Sequence, residues 1–414
     1  MILTPTPLET MLNEIRKRLA MRPLFLWITG ILIQVYFPIE SYSALLLLPL
    51  ACILGLSFFV KPTKDVRYSA RFVWGFAFSL LFLFLAIQTT EYAILNLDSS
   101  LPPSQIETWA ANMQDSLSKR FDLTNLSSEG KALLSTLCLG NRKELPWELR
   151  QQFNTAGVAH ILAVSGFHVG VVFSFLNMLL ARISIYGTWK WLRFAITVAI
   201  LLLYLMISGM SSSTIRATAM IIIYFCSINI ERTIDRYNPL ATTALLMLIY
   251  NPLYLFDIGF QLSFSAVFAI LYLNENLLKI TNLRNPLIRI PYQWVMLSIA
   301  AQVGTLFLCL HYFGSTSLVF LFANIPVILL SSLLIPLSLV WLLLPKGFFF
   351  AAWIQEIIET LTQYLLLVVN RFGGTSNASF TLRLSTLETV LAYCFLIILV
   401  MFLQNRKKYI PLHG

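Results

Sequence analysis

Residues Ile290–Pro345 read IPYQWVMLSIAAQVGTLFLCLHYFGSTSLVFLFANIPVILLSSLLIPLSLVWLLLP, fifty-six consecutive positions without one Asp, Glu, Lys or Arg. A soluble domain carries charge on roughly a quarter of its residues. A run of this length therefore belongs in a bilayer. The rest of the chain agrees. Of 414 residues only 12% are charged and 58% are hydrophobic, and the mean hydropathy is +0.76. This excludes an ordinary cytosolic enzyme. Cys52, Cys138, Cys226, Cys309 and Cys394 are scattered with no CxxC pair, which excludes a disulfide scaffold.

A spanning helix needs about 20 apolar residues. Working outward, the candidate spans before the opening run are Pro23–Phe37, Tyr42–Val60, Phe72–Tyr92, Gly157–Ala181, Trp191–Ser208, Thr214–Ile230, Leu240–Tyr250 and Phe256–Leu273. The run itself divides into Ile290–Phe313 and Thr316–Leu344, and Phe350–Asn370 and Leu387–Leu403 follow. The expected fold is an all-α polytopic bundle of about ten to twelve transmembrane helices with broken or re-entrant segments. Basic residues cluster in alternate loops, at Arg16–Arg18, Lys61–Arg71, Arg182–Arg193, Arg232–Arg236, Lys279–Arg289 and Arg406–Lys408. By the positive-inside rule these loops are cytoplasmic, as are both termini. The net charge of +10 is this bias.

Four regions follow. Residues 1–92 form N-terminal spans, and 93–156 an extracytoplasmic helical segment. Residues 157–404 form the main transmembrane domain and 405–414 a cytoplasmic tail. Helices are expected in the second region near Thr108–Phe121 and Glu129–Leu139. A third, Pro146–Asn154, places Trp147, Leu149, Arg150 and Phe153 amphipathically and reads as an interfacial helix.

Polar residues in apolar surroundings are the functional candidates, because lipid makes them costly. In HILAVSGFHVG (His160–Gly170), a helix begun at Gly157 sets His160 and His168 about 12 Å apart along one side. Ser165 is one turn away, and His168 lies about 16 Å deep, near the bilayer centre. Gly166 and Gly170 form a small-residue packing face. His168 reads either as a functional midplane group or as a neutral imidazole bonded to a neighbouring carbonyl. SGMSSSTIRATA (Ser208–Ala219) carries Arg216. FDIGFQLSFSA (Phe256–Ala266) aligns Asp257, Gln261 and Ser265 at i, i+4 and i+8, with Gly259 as a packing glycine. Arg216 and Asp257 fall at similar depth and are expected to pair. Asn324-Ile325-Pro326 reads as a broken or re-entrant helix, or as a proline kink. No metal-ligand spacing, nucleophile elbow or P-loop occurs, so no catalytic residue, metal or cofactor is expected.

Three ordered blocks carry a family resemblance. They are LGNRKELPWELRQQFNTAGVAHILAVSGFHVGVV (Leu139–Val172), SGMSSSTIRA (Ser208–Ala217) and NPLYLFDIGFQLSFSAV (Asn251–Val267). Over about Leu133 to Leu344 the chain resembles the competence domain of the ComEC DNA-uptake channel family. The resemblance implies an inner-membrane channel passing single-stranded DNA into the cytoplasm during natural transformation. It also implies an extracytoplasmic DNA receptor and a cytoplasmic DNA-translocating ATPase as partners. On it, His160, Ser165, His168, Arg216, Asp257, Gln261 and Asn324 match polar positions of the family that line or shape the path. The OB-like and metallo-β-lactamase-like domains of many members have no counterpart here, so a core-only form with nuclease supplied separately is expected. Two other readings stay open: an ion-coupled small-solute transporter with a His/Arg/Asp relay, and a membrane scaffold.

Overall fold

The computed structural model describes residues 18–38, 64–97, 104–183, 187–230, 235–278, 285–317, 319–345, 348–374 and 379–408. In chain order its α-helices are α1 (Met21–Tyr36), α2 (Lys64–Leu95), α3 (Gln105–Ser118), α4 (Ser128–Leu134) and α5 (Trp147–Thr155). Then come α6 (Gly166–Leu179), α7 (Trp189–Ile207), α8 (Ser212–Ile230), α9 (Tyr237–Tyr250) and α10 (Ile258–Leu278). The last are α11 (Pro286–Phe313), α12 (Phe320–Leu343), α13 (Ala351–Gly373) and α14 (Thr386–Lys408). Two three-residue strands, β1 (Ser315–Ser317) and β2 (Ser379–Thr381), pair antiparallel with Thr316 opposite Phe380. Apart from Gly157–Ala181, every expected span among the described residues is helical over most of its length. The expected second span, Tyr42–Val60, lies outside them. Helix α14 runs on through Lys408, into the stretch expected to be a tail.

Segments Gly75–Leu95, Trp189–Ile207, Ser212–Ile230, Pro291–Phe313 and Phe320–Leu343 are long and apolar enough to cross a bilayer. Shorter apolar helices cover Met21–Tyr36, Gly166–Arg182, Ile258–Leu273 and Thr386–Val400. Their outward faces present Leu203, Phe268, Phe322, Leu333 and Phe395. Apolar exposure on this scale suits lipid as solvent. The chain is an all-α polytopic membrane protein.

The fold separates into two units, residues 1–101 with 235–260, and residues 102–234 with 261–414. In the first, α1 meets α2 at Gly30. A Cβ there would lie 2.6 Å from both the Ala86 Cβ and the Leu83 carbonyl oxygen, so only glycine allows the approach. Trp27 Nε1 donates to the Leu248 carbonyl of α9 at 3.2 Å. Arg18 pairs with Asp235 at 3.1 Å and stacks 3.8 Å above the Tyr237 ring.

In the second unit, α12 and α13 form an antiparallel pair, since the start of α12 and the end of α13 both meet α5. Ser317 Oγ, just before α12, donates to the Thr155 carbonyl, and Gly373 closes against the Gln152 backbone. Helix α12 is continuous through Pro326 and Pro336. The break expected at Asn324-Ile325-Pro326 is absent. Pro326 falls in the second turn, and a proline in a packed bundle removes one ladder bond without ending the helix.

Residues 104–156 form α3, a 3₁₀ turn (Lys119–Leu123), α4, a π turn (Ser135–Leu139) and α5. Ser104 and Glu107 start α3 with a reciprocal capping box. Leu149 and Phe153 of α5 are buried in a core shared with Leu334 of α12 and Leu365 of α13, while Trp147 stays exposed. The apolar face read from the sequence as interfacial is thus taken up by the protein's own core. The segment also touches both ends of α12, at Thr155 and at Arg120. The Arg120 guanidinium donates to the Leu342 and Leu344 carbonyls, capping the negative end of the helix. Helix α12 is about 36 Å long. The segment therefore reaches along the length of α12.

Gly304 of α11 tests these close contacts, because a Cβ there would lie 2.4 Å from the Ala269 Cβ of α10. Gly304→Val is expected to destabilise by about 1–3 kcal/mol through overpacking, read as a lower melting temperature in detergent. An unchanged melting temperature would contradict the crossing.

Candidate functional site

The site is built around a break. The expected helix from Gly157 to Ala181 does not form as one piece. Gly157 has φ 78°, Ala159–Ile161 make a 3₁₀ turn, and α6 begins only at Gly166. A Cβ on Gly157 would lie 2.5 Å from the Ser317 Cβ, so this left-handed turn is pinned between α5 and α12. His160 and His168 consequently share no helix face. His160 is exposed in the turn, whereas His168 is fully buried in the first turn of α6. The depth of about 16 Å counted from Gly157 lapses with the helix that it assumed.

His168 folds back onto the start of its helix. The Ser165 backbone N–H donates to His168 Nδ1 at 3.2 Å, and Ser165 Oγ lies 3.2 Å from the same nitrogen. This is a capping box with histidine in the place usually held by Glu or Gln. Accepting from a backbone N–H requires Nδ1 to be unprotonated, which puts the proton of the neutral ring on Nε2. Nε2 is buried without a hydrogen-bond partner among the described residues.

The second motif block locks onto the first. Ser213 Oγ donates to the Val164 carbonyl at 2.6 Å, and Thr214 Oγ1 lies 3.5 Å from that oxygen. Ser211 Oγ accepts from the Thr214 N–H at 3.3 Å, satisfying an otherwise orphan donor at the start of α8. Arg216, 4% exposed, follows one turn later. The N-terminal ends of α6 and α8 therefore meet at one carbonyl, between Ser165 and the SGMSSST turn. Gly166 faces α8, where an added Cβ would meet the Ala217 Cβ at 3.8 Å. A Cβ on Gly170 would meet nothing within 4 Å.

The remaining candidates have local partners. Asp257 precedes α10, and its Oδ1 accepts from the Phe260 N–H at 2.7 Å, so it caps the helix and lies off the i, i+4, i+8 face. Gln261 Oε1 accepts from the Tyr312 hydroxyl at 2.8 Å, and Ser265 Oγ bonds the Leu262 carbonyl. Gly259 lies in the first turn of α10. Asn324, 7% exposed, donates to Ser298 Oγ at 3.0 Å and joins α12 to α11. Arg216 belongs to the second unit and Asp257 to the first.

Sequence reasoning missed a layer over this junction. Gln114 of α3 donates to the Leu139 carbonyl at 2.5 Å, and Arg142 Nε donates to the Leu162 carbonyl at 3.2 Å. Burial, and then the Arg150 charge, lower the pKa of Arg142. Tyr204, Ser331 and Ser338 were missed too; their buried hydroxyls lack hydrogen-bond partners among the described residues. A buried hydroxyl on an apolar helix gives no periodic signal. Among the described residues no group of three His, Cys, Asp or Glu side chains is placed to hold a metal.

The family model described as Competence protein matches residues 137–407, well over half of the chain. The chain belongs to the Competence protein family. Within that family it is 23% identical over 297 residues to ComE operon protein 3 of Bacillus subtilis (strain 168), covering 68% of this chain and 35% of the relative. It is also 32% identical over 161 residues to an uncharacterized protein of Aquifex aeolicus (strain VF5), covering 39% and 37%. The chain thus matches about a third of the length of each of these relatives. No solved structure gives a significant match.

A histidine acting as a cap can be told from one acting by its proton. His168→Gln keeps an N3 acceptor and is expected to preserve the melting temperature. His168→Ala is expected to destabilise by about 1 kcal/mol. Equal melting temperatures for the two variants would contradict the capping role.

Proposed function

We propose that this protein serves DNA uptake during competence as an inner-membrane conduit for single-stranded DNA. Membership of the Competence family carries the reading. The matched region, residues 137–407, takes in all of the polar candidates. The similarity to ComE operon protein 3 and the polytopic all-helical fold support it.

On this reading His160, Ser165, His168, Arg216, Asp257, Gln261 and Asn324 line or shape the route. The basic loops and both termini face the cytoplasm. The chain acts as a channel and carries out no covalent chemistry. The pull on the strand comes from partner proteins, namely an extracytoplasmic DNA receptor and a cytoplasmic ATPase. A proton relay through His168 has less support, because its Nδ1 already serves as a cap.

Uptake of labelled DNA by cells lacking the chain tests the proposal, with nuclease-protected and cytosolic pools followed separately. Protected DNA is expected to accumulate outside the inner membrane while the cytosolic pool falls to background. An unchanged cytosolic pool, in a host shown to be transformable, would overturn the proposal.

A further inference from the structure

We propose that Gln114 latches residues 104–143 shut over the junction of α6 and α8, so that the structure is the closed state of the conduit. The inference rests on the conduit reading of this same site.

Three observations converge on the latch. First, the route candidates at the junction are shut in, with His168 fully buried and Arg216 4% exposed. Second, a single side chain ties the closing segment together and packs on the turn beneath it. The Gln114 amide donates to the Leu139 carbonyl at 2.5 Å. Its other contact is the turn Ser208–Ser211, where a Cβ on Gly209 would lie 2.7 Å from Gln114 Nε2. Gly140 completes the grip, since a Cβ there would lie 3.0 Å from Val164 Cγ2 and 3.1 Å from the Ser208 carbonyl oxygen. Asp115, beside Gln114 on α3, pairs with Lys143 at 2.9 Å and ties the two arms of the segment together.

Third, the gripped turn is strained. Gly209 and Met210 both have positive φ, 71° and 51°. The left-handed region is unfavourable for a side-chain-bearing residue such as Met210, and such strain persists only where the surroundings hold it. Ser213 and Thr214, which hold the Val164 carbonyl, follow directly on this turn. Releasing Gln114 lets the turn relax and frees the adjoining start of α8.

Two variants of the full chain test the latch. Gln114→Ala, purified into phosphatidylethanolamine–phosphatidylglycerol vesicles, is expected to release potassium at least about fivefold faster than the unaltered protein, at a similar melting temperature. The pair Gln114→Cys with Gly209→Cys removes the amide that would crowd the new Cβ, and copper–phenanthroline oxidation joins the two thiols. Native Cys138 does not compete, because it is fully buried. The oxidised pair is expected to lose cytosolic DNA import at least about tenfold and to regain it on reduction, with the Gln114→Cys single variant insensitive to the oxidant. Import unaffected by oxidation, together with tight Gln114→Ala vesicles, would overturn the latch and leave the conduit standing. Failure of the unaltered protein to support import would instead overturn the conduit, and potassium release, which needs no DNA, would report on the latch by itself.

Discussion

The hydroxyl of Ser213 bonded to the carbonyl of Val164 is the contact on which the second unit turns. A carbonyl just ahead of a helix has no ladder partner of its own, and in a membrane an unpaired one is costly. Ser213 and Thr214 meet that need from the start of α8, and in doing so fix the ends of two helices against each other. The rest is arranged around this joint. Ser165, next in sequence, receives the His168 ring, and Arg216 is set one turn into α8. The loop Leu139–Arg142 closes from the far side, through Gln114 and Arg142.

This arrangement separates two jobs that polar residues do in lipid. Most of the candidates hold the bundle together: Asn324 bonds Ser298, Gln261 receives Tyr312, and Asp257 caps α10. Such bonds bring modest stability each, on the order of 0.6 kcal/mol, and their greater effect is to fix which helices meet. His168, like Asn324, has one polar atom committed and the other buried without a partner among the described residues. An unmatched polar atom in a dry interior is costly.

Much of the helical plan was legible in the sequence, because apolar runs near bilayer length have few alternatives. The failures share a cause. HILAV is equally apolar whether helical or extended, so the break before Gly166 left no trace in hydropathy; the clue was Gly157, which takes a left-handed turn. Pro326 suggested a break where the helix continues, since a proline's lost bond is tolerated inside a bundle. Asp257 matched a helical face and instead serves as a cap, a preference of aspartate that periodicity overrode. The amphipathy of α5 was read correctly, but periodicity does not say whether lipid or protein covers an apolar face. Gln114 could not have been found from sequence, because its role depends on two glycines, Gly140 and Gly209, brought to it by the fold.

The central claim is that the incoming strand passes the junction where α6 and α8 begin. Photo-cross-linking tests it most directly, with bases activated during uptake and the attached residues mapped by mass spectrometry. Cross-links within His160–Gly170 and Ser208–Ala219 are the expected result. A strand that reaches the cytosol while cross-linking only to other parts of the chain, or to another protein, would contradict the account.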